Sequence, residues 1–323
     1  MIKKVFIILF LTGFPFLPLF SSSPGTSLFN FLKINPSPRT AAVADVNGIM
    51  SSQSFLNNPA VLPWLRISEL SIAHLVYVAD ISYSNAGYVH SFNKKSAIGV
   101  SLGYLGTGAM ARTVYSASDV NEFSETGTFA ASDMLLTLAY GRRTTRYFSY
   151  GLNVKMARES IDGNNTDGFL FSASGYSVTP RTGKKTAFLP LKKQSYTKDE
   201  WIFGFGVFNV GPAIKNMDAP MGGFLNLGTS FGHGSSWYGE LAIYADQASQ
   251  LRTGFEIALA DPLTLRFGYR YQFKDSGLGL PITGGIGINI GTFSFDYAWV
   301  PYGDLGQTHR LALTTRFPDA AKR

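Results

Sequence analysis

The chain has 323 residues, 28 Lys plus Arg against 21 Asp plus Glu, a formal charge of +7 and a mean hydropathy close to zero. It contains no cysteine, which excludes disulfides, thiol catalysis, cysteine-based metal centres and a lipoprotein anchor. Beyond the N-terminus no run of 18 apolar residues occurs, so no transmembrane helix is expected there.

The N-terminus reads as a secretory signal over residues 1–23. Lys3 and Lys4 precede an apolar run from Val5 to Phe20, Pro15 and Pro18 argue against a spanning helix, and the small residues Ser21, Ser22 and Ser23 follow. Residues 24–66 lack strand alternation and contain Ala41, Ala42, Val43 and Ala44 among small polar residues. Short helices and turns are expected there.

From residue 67 the pattern changes to period two. Leu263, Leu265, Phe267, Tyr269, Tyr271 and Phe273 share one face of a strand, and Thr264, Arg266, Gly268, Arg270 and Gln272 share the other. Phe255, Ile257 and Leu259 oppose Gly254, Glu256 and Ala258. Phe293, Phe295, Tyr297 and Trp299 oppose Ser294, Asp296, Ala298 and Val300. The last strand sets His309, Leu311, Leu313, Thr315 and Phe317 against Arg310, Ala312, Thr314 and Arg316. An apolar outside with a charged inside suits a membrane barrel, where one face meets lipid and the other lines a polar lumen.

Fourteen strands are expected, near 68–78, 81–91, 96–106, 130–141, 147–158, 168–178, 200–210, 222–232, 236–245, 251–260, 263–273, 282–290, 292–300 and 307–317. Each is close to the roughly 9 to 11 residues that cross a bilayer at a tilt. The first two alternate poorly. With a periplasmic N-terminus, the short turns at 92–95, 142–146, 233–236, 261–262 and 291 fall on the periplasmic side. The polar loops Thr107 to Phe129 and Ser160 to Asp167 fall outside the cell. The connection Thr179 to Asp199 is long for its periplasmic side. Lipid offers no water to a free strand edge, so the sheet must close. The fold class is therefore all-β: a transmembrane antiparallel barrel over 67–317, an N-terminal plug over 24–66 and a tail over 318–323.

The charge of +7 does not indicate nucleic acid, because Arg252, Arg266, Arg270, Arg310 and Arg316 fall on inward positions of separate strands rather than on one exposed stripe. His74, His90, His233 and His309 are scattered without metal spacing, and no G-x-S-x-G elbow is present. No cofactor, metal or catalytic residue is expected. The inward charges Glu240, Arg252, Glu256, Arg266, Arg270, Asp296 and Arg310 have two readings. They pair with one another and fix the plug, or the arginines grip a carboxylate head group through parallel hydrogen bonds. Lumenal glycines near 96–106, 200–211 and 281–291 admit a plug backbone or mark a strand kink. Phe317 ends the final strand on the lipid face and is the expected assembly signal, read by the barrel assembly machinery.

Two stretches carry a family resemblance. Phe31-Leu32-Lys33-Ile34, Arg39-Thr40-Ala41-Ala42 and Asn58-Pro59-Ala60 form one. Phe295-Asp296-Tyr297-Ala298, Gly303-Asp304-Leu305-Gly306 and Thr308-His309-Arg310 form the other, with Asn209-Val210-Gly211-Pro212 between them. They resemble the PorV/PorQ-type outer-membrane proteins, which are themselves similar to FadL-type long-chain fatty acid transporters. The resemblance implies a fourteen-stranded barrel with a plug in which Arg39, Asn58 and Pro59 are motif residues, and it allows a lateral exit at a kinked strand. It implies one of two functions: an outer-membrane channel for hydrophobic small molecules such as long-chain fatty acids, or a secretion component that binds partner proteins. Outer-membrane lipid is the expected surrounding.

Overall fold

Strands dominate because period-two alternation leaves each one apolar on one face only. A computed structural model describes residues 27–115, 123–180, 200–231, 234–273 and 281–317. The expected signal segment, the tail 318–323 and most of the connection Thr179 to Asp199 lie outside the described residues.

The strands in chain order are β1 (Ser68–Val76), β2 (Ser82–Ser91), β3 (Ser96–Gly106), β4 (Met110–Tyr115), β5 (Phe123–Phe129), β6 (Ala131–Arg143), β7 (Phe148–Ile161) and β8 (Asn164–Pro180). They continue as β9 (Glu200–Val210), β10 (Gly222–Phe231), β11 (Ser235–Tyr244), β12 (Gln250–Ala260), β13 (Leu263–Gln272), β14 (Ile282–Ile290), β15 (Phe293–Pro301) and β16 (Gln307–Phe317). Fourteen of them close an antiparallel barrel in which β1 pairs with both β2 and β16, and β3 pairs with β6. Closure is in register from Ser68 opposite Phe317 to Val76 opposite His309.

The two faces of the wall differ as the alternation requires. On β3, Ile98, Val100, Leu102 and Tyr104 are exposed while Ala97, Gly99, Ser101 and Gly103 are buried. On β13 and β15, Phe267, Tyr269, Phe293 and Phe295 face out, and Arg266, Gly268, Ser294 and Asp296 face in. An apolar belt this continuous would aggregate in water and is at home in lipid.

Two expectations need correction. The stretch Thr107 to Phe129 is not a plain loop: β4 and β5 pair as a two-stranded sheet outside the barrel, with a register shift at Arg112 and Thr113. The stretch Ser160 to Asp167 is not a loop either. β7 and β8 pair up to Ile161 and Asn164, and the connection is only Asp162-Gly163, at φ of 51° and 78°. Positive φ at both central residues is the requirement of a type I′ hairpin, which Asp-Gly satisfies.

β1 and β2 have a simple reason for their weak alternation. Their inward positions include Leu75, Tyr83 and Val89, all buried, and these pack on the N-terminal segment rather than on water. Apolar residues then occupy both faces, and period two fades.

Residues 27–66 occupy the lumen. One-turn helices at Asn30–Lys33, Pro38–Ala41, Ser54–Leu56, Pro59–Val61 and Leu62–Leu65 are joined by turns. Inward glycines give this backbone room. A methyl group at Gly151 would sit 2.3 Å from Ala60 N, and one at Gly268 would sit 2.3 Å from Ala44 N. The wall has a local break beside the lumen: the β8–β9 register shifts between Phe171 and Ala173, and Asn209 opposite takes φ of 57°.

Phe317 is exposed on the outer face, with its ring edge-on to Tyr88 at 6.4 Å between centroids. A charge on the lipid face near an interface costs only about 0 to 1 kcal/mol. Phe317→Asp is therefore expected to cost little folding energy, yet to reduce assembled protein severely, while removal of 318–323 is expected to be tolerated. Heat-dependent gel mobility of membrane fractions checks this. Normal amounts of folded Phe317→Asp would show that the strand end is not the assembly signal.

Candidate functional site

The lumen is divided chemically. On the side of β1–β3 and β6–β8, Phe29, Phe31, Phe55 and Leu62 of the N-terminal segment pack with Leu75, Tyr83, Leu105, Leu135 and Leu170 of the wall. Phe31 meets Tyr83 edge to face at 6.5 Å. The side of β11–β16 carries most of the buried charges, although Glu159 of β7 accepts from Phe29 N at 3.1 Å and Asp133 and Lys155 also lie on the first side.

Arg39 enters from the one-turn helix Pro38–Ala41, whose N-cap Ser37 accepts a hydrogen bond from Thr40 N. Its Nε and Nη2 donate to both carboxylate oxygens of Glu256 at 2.8 and 3.0 Å, and its Nη1 donates to Met50 O at 3.1 Å. Arg266 donates to the same Glu256 Oε1 at 2.8 Å and to Asp296 Oδ1 at 2.7 Å. Tyr238 donates to Glu256 Oε2 at 3.2 Å. Two guanidinium groups thus share one carboxylate, and Asp296 balances the second.

A parallel cluster holds the turn after that helix. Glu240 accepts from Asn47 N at 2.7 Å and Asn47 Nδ2 at 2.9 Å, and it pairs with Arg252 at 3.3 Å. Arg252 also donates to Asp45 O at 2.7 Å, to Gln250 Oε1 and to the Tyr244 hydroxyl. Asp45 is the sole acidic residue between 24 and 66. It accepts from Arg270 Nη2 at 2.6 Å and lies 3.5 Å from Arg310 Nη1, which donates to Asn35 O at 2.5 Å. Burial by itself raises the Asp45 carboxyl, but the guanidinium groups of Arg310, Arg270 and Arg252 outweigh it and hold the group below the usual carboxylate range.

The remaining motif residues make backbone contacts. Asn58 Nδ2 donates to Asn47 O at 2.8 Å, and a methyl at Gly141 would lie 2.7 Å from Pro59 O. Thr283 bridges the segment by donating to Ala42 O and accepting from Ala44 N, at 3.0 and 3.2 Å. Seven of the eight inward charges singled out in the sequence thus lie in two contiguous clusters around Arg39 and Asp45; the eighth, Arg316, pairs instead with Glu69 of β1 at 3.1 Å. Phe317 lies outside, at the barrel closure.

Sequence reasoning missed the opposite wall. Asn153 donates to Phe55 O and Leu56 O at 2.8 and 2.9 Å. Lys155, 1 % exposed, donates to Asn209 Oδ1 at 2.6 Å and Asn57 Oδ1 at 3.2 Å. The alternation of Gly151, Asn153, Lys155 and Ala157 was the available signal.

Between the two walls lies a chamber of about 1070 Å³. Phe31, Leu56 and Leu135 line one part of it, and Asp45, Arg252 and Arg270 another. No group of acidic and histidine side chains able to hold a metal occurs among the described residues.

The fold has solved relatives. The toluene transporter TbuX of Ralstonia pickettii aligns with a TM-score of 0.57 over 87 % of this chain and 98 % of its own, at 13 % identity. The toluene transporter TodX of Pseudomonas putida aligns with a TM-score of 0.54 over 92 % and 98 %, at 10 % identity. At such identities the likeness is one of fold. No family model and no curated protein matches the chain.

Asp45 ties the clusters to the segment, so its removal tests them. Asp45→Asn leaves Arg270 and Arg310 without their acid, at a cost of about 3–5 kcal/mol for a buried pair broken on one side. Ion conductance in planar bilayers is expected to rise towards that of a chain lacking residues up to Arg66. Because the folded value of Asp45 is depressed, its contribution is complete above the unfolded value of about 3.9 and fades only as pH falls through the folded value. The difference in conductance between the wild type and Asp45→Asn is therefore expected to persist from pH 8 to about pH 5. An unchanged current in Asp45→Asn would show that the segment is seated without this latch.

Proposed function

We propose that this chain is an outer-membrane channel for hydrophobic small molecules, such as long-chain fatty acids, with residues 24–66 as its plug. The observation that carries this reading is the chamber of about 1070 Å³, lined by both apolar and polar side chains, within a lipid-facing barrel. A volume at the upper end of ordinary ligand sites suits a drug-sized or longer apolar molecule. The relatives in fold are toluene transporters, which supports the same class.

In this reading the β4–β5 hairpin lies outside the cell and the short turns lie in the periplasm. Ligand enters the chamber from the hairpin end. The lumenal arginines, each facing an acid, hold the plug rather than the cargo. The β8–β9 irregularity at Phe171 and Asn209 borders the chamber and supports a lateral exit there, in keeping with the FadL-type resemblance.

A second reading rests on one feature. The β4–β5 sheet lies outside the barrel, tied to the β7–β8 turn by Arg112 and Asp162 at 2.5 Å, with Val114, Tyr115 and Phe123 exposed and the rings of Tyr115 and Phe123 edge to face at 6.2 Å. Such a projecting aromatic edge suits a partner protein, as the PorV-type resemblance implies.

The channel reading is tested by uptake. Cells of a diderm host lacking its own fatty acid channel are expected to take up radiolabelled dodecanoate or dodecan-1-ol faster when they express this chain. Mild detergent extraction is expected to bring a hydrophobic molecule with the protein in native mass spectrometry. Uptake equal to that of the empty host, with no molecule retained, would overturn the channel reading.

A further inference from the structure

The cations of this lumen differ sharply in their partners, and Lys33 of the N-terminal segment pairs with Asp246 at 2.5 Å. Arg39, Arg252, Arg266, Arg270, Arg310 and Arg316 each meet a carboxylate within 3.5 Å. Lys155 meets none among the described residues. Its ammonium has only two neutral amide oxygens, Asn209 Oδ1 at 2.6 Å and Asn57 Oδ1 at 3.2 Å. An ammonium has three donors, so one remains. Burying a charge without a counter-charge is costly, and structures ordinarily avoid it by pairing.

The surroundings are built rather than accidental. Asn209 reaches Lys155 because the backbone of β9 bulges there, with φ of 57°. Its amide is fixed from the other side by donation to Pro220 O at 3.3 Å. Thr137, the register partner of Lys155 on β6, is fully buried and its hydroxyl has no hydrogen-bond partner. On β8 the register partner is Leu170, also fully buried. Lys155 and Asn209 line the chamber together with Leu56, Leu135 and Phe208. Lys155 therefore has a spare donor and no carboxylate partner among the described residues, in a lining that also contains Asp133, whereas each of the six arginines already meets a carboxylate.

We propose that Lys155, set by Asn209, is the head-group site of the chamber, and that its ligand is an amphiphile with a carboxylate head rather than a neutral hydrocarbon. This rests on the channel reading and deepens it. The carboxylate supplies the missing counter-charge, and a charge-assisted hydrogen bond is roughly twice as strong as a neutral one. The apolar tail lies against Leu56, Leu135 and Phe208. A neutral ligand of the same length leaves the ammonium unbalanced and gains only the apolar part.

The experiment compares dodecanoate with dodecan-1-ol, which share a tail and differ in head charge. Uptake of each is measured in cells expressing the full chain, with the empty-host background subtracted and folded protein quantified by heat-dependent gel mobility. Lys155→Met removes the charge. Asn209→Asp keeps Lys155 but gives it an internal counter-ion. Both are expected to lower the ratio of carboxylate to alcohol uptake about tenfold, whereas Lys155→Arg is expected to keep it within about threefold of wild type. A wild-type ratio in either folded charge-cancelling variant would overturn the head-group assignment and leave the channel reading standing. So would an equal loss of both substrates, which marks a structural lysine. Absence of uptake of both substrates by the wild type would overturn the channel reading itself.

Discussion

The width of a fourteen-stranded barrel is the constraint on which the rest depends. Side chains from the wall fill the interior of a barrel of about eight strands, and barrels of about 16 to 18 leave an aqueous channel. Fourteen strands lie between these limits. The interior here is filled by a second layer of chain, residues 27–66, and each of the three buried apolar clusters joins residues of that layer to residues of the wall. A backbone threaded through a lumen brings its own donors and acceptors, which must be satisfied where water is scarce. The wall does this with Thr283, Ser149, Ser174, Asn153 and Glu240, spaced around the circumference. It makes room with glycine where the two backbones come closest.

The outer face was legible in the sequence because lipid imposes one uniform demand. Ile286, Phe295 and Leu311 follow it regardless of their neighbours, so period two survives and the strand count can be read from it. The inner face answers to the plug, and the plug differs from place to place. Opposite Phe31 and Phe55 the wall turns apolar, and β1 and β2 lose their alternation. Opposite Arg39 and Asp45 it turns charged, and β12, β13 and β15 display theirs clearly. The same physics that made half of the lumen readable hid the other half.

Local turn chemistry and long-range register account for the remaining differences. Asp162-Gly163 carried its hairpin signal in two residues, but polar residues on both sides gave it the look of a loop. The β4–β5 hairpin contains Arg112, Thr113, Ser124, Glu125 and Thr126, and with neither face buried it has no alternation to detect. Lys155 and Asn209 lie 54 positions apart. Their meeting depends on a bulge in β9 against Ser172 of β8, and single-strand patterns contain no trace of such a shift.

The distribution of charge separates two kinds of buried cation. A guanidinium that shares a carboxylate with another, as Arg39 and Arg266 share Glu256, already has its counter-charge, and an anionic ligand would have to compete with that carboxylate to reach it. Such a group resists anionic ligands even though it is positive. An ammonium answered only by amides is different, since an anion improves its surroundings without displacing any carboxylate. The number of positive groups in the lumen therefore says little about what the chamber prefers. Under the head-group proposal, the relevant property is which positive group the fold has left without an acid, and that property emerges only once residues 27–66 are in place.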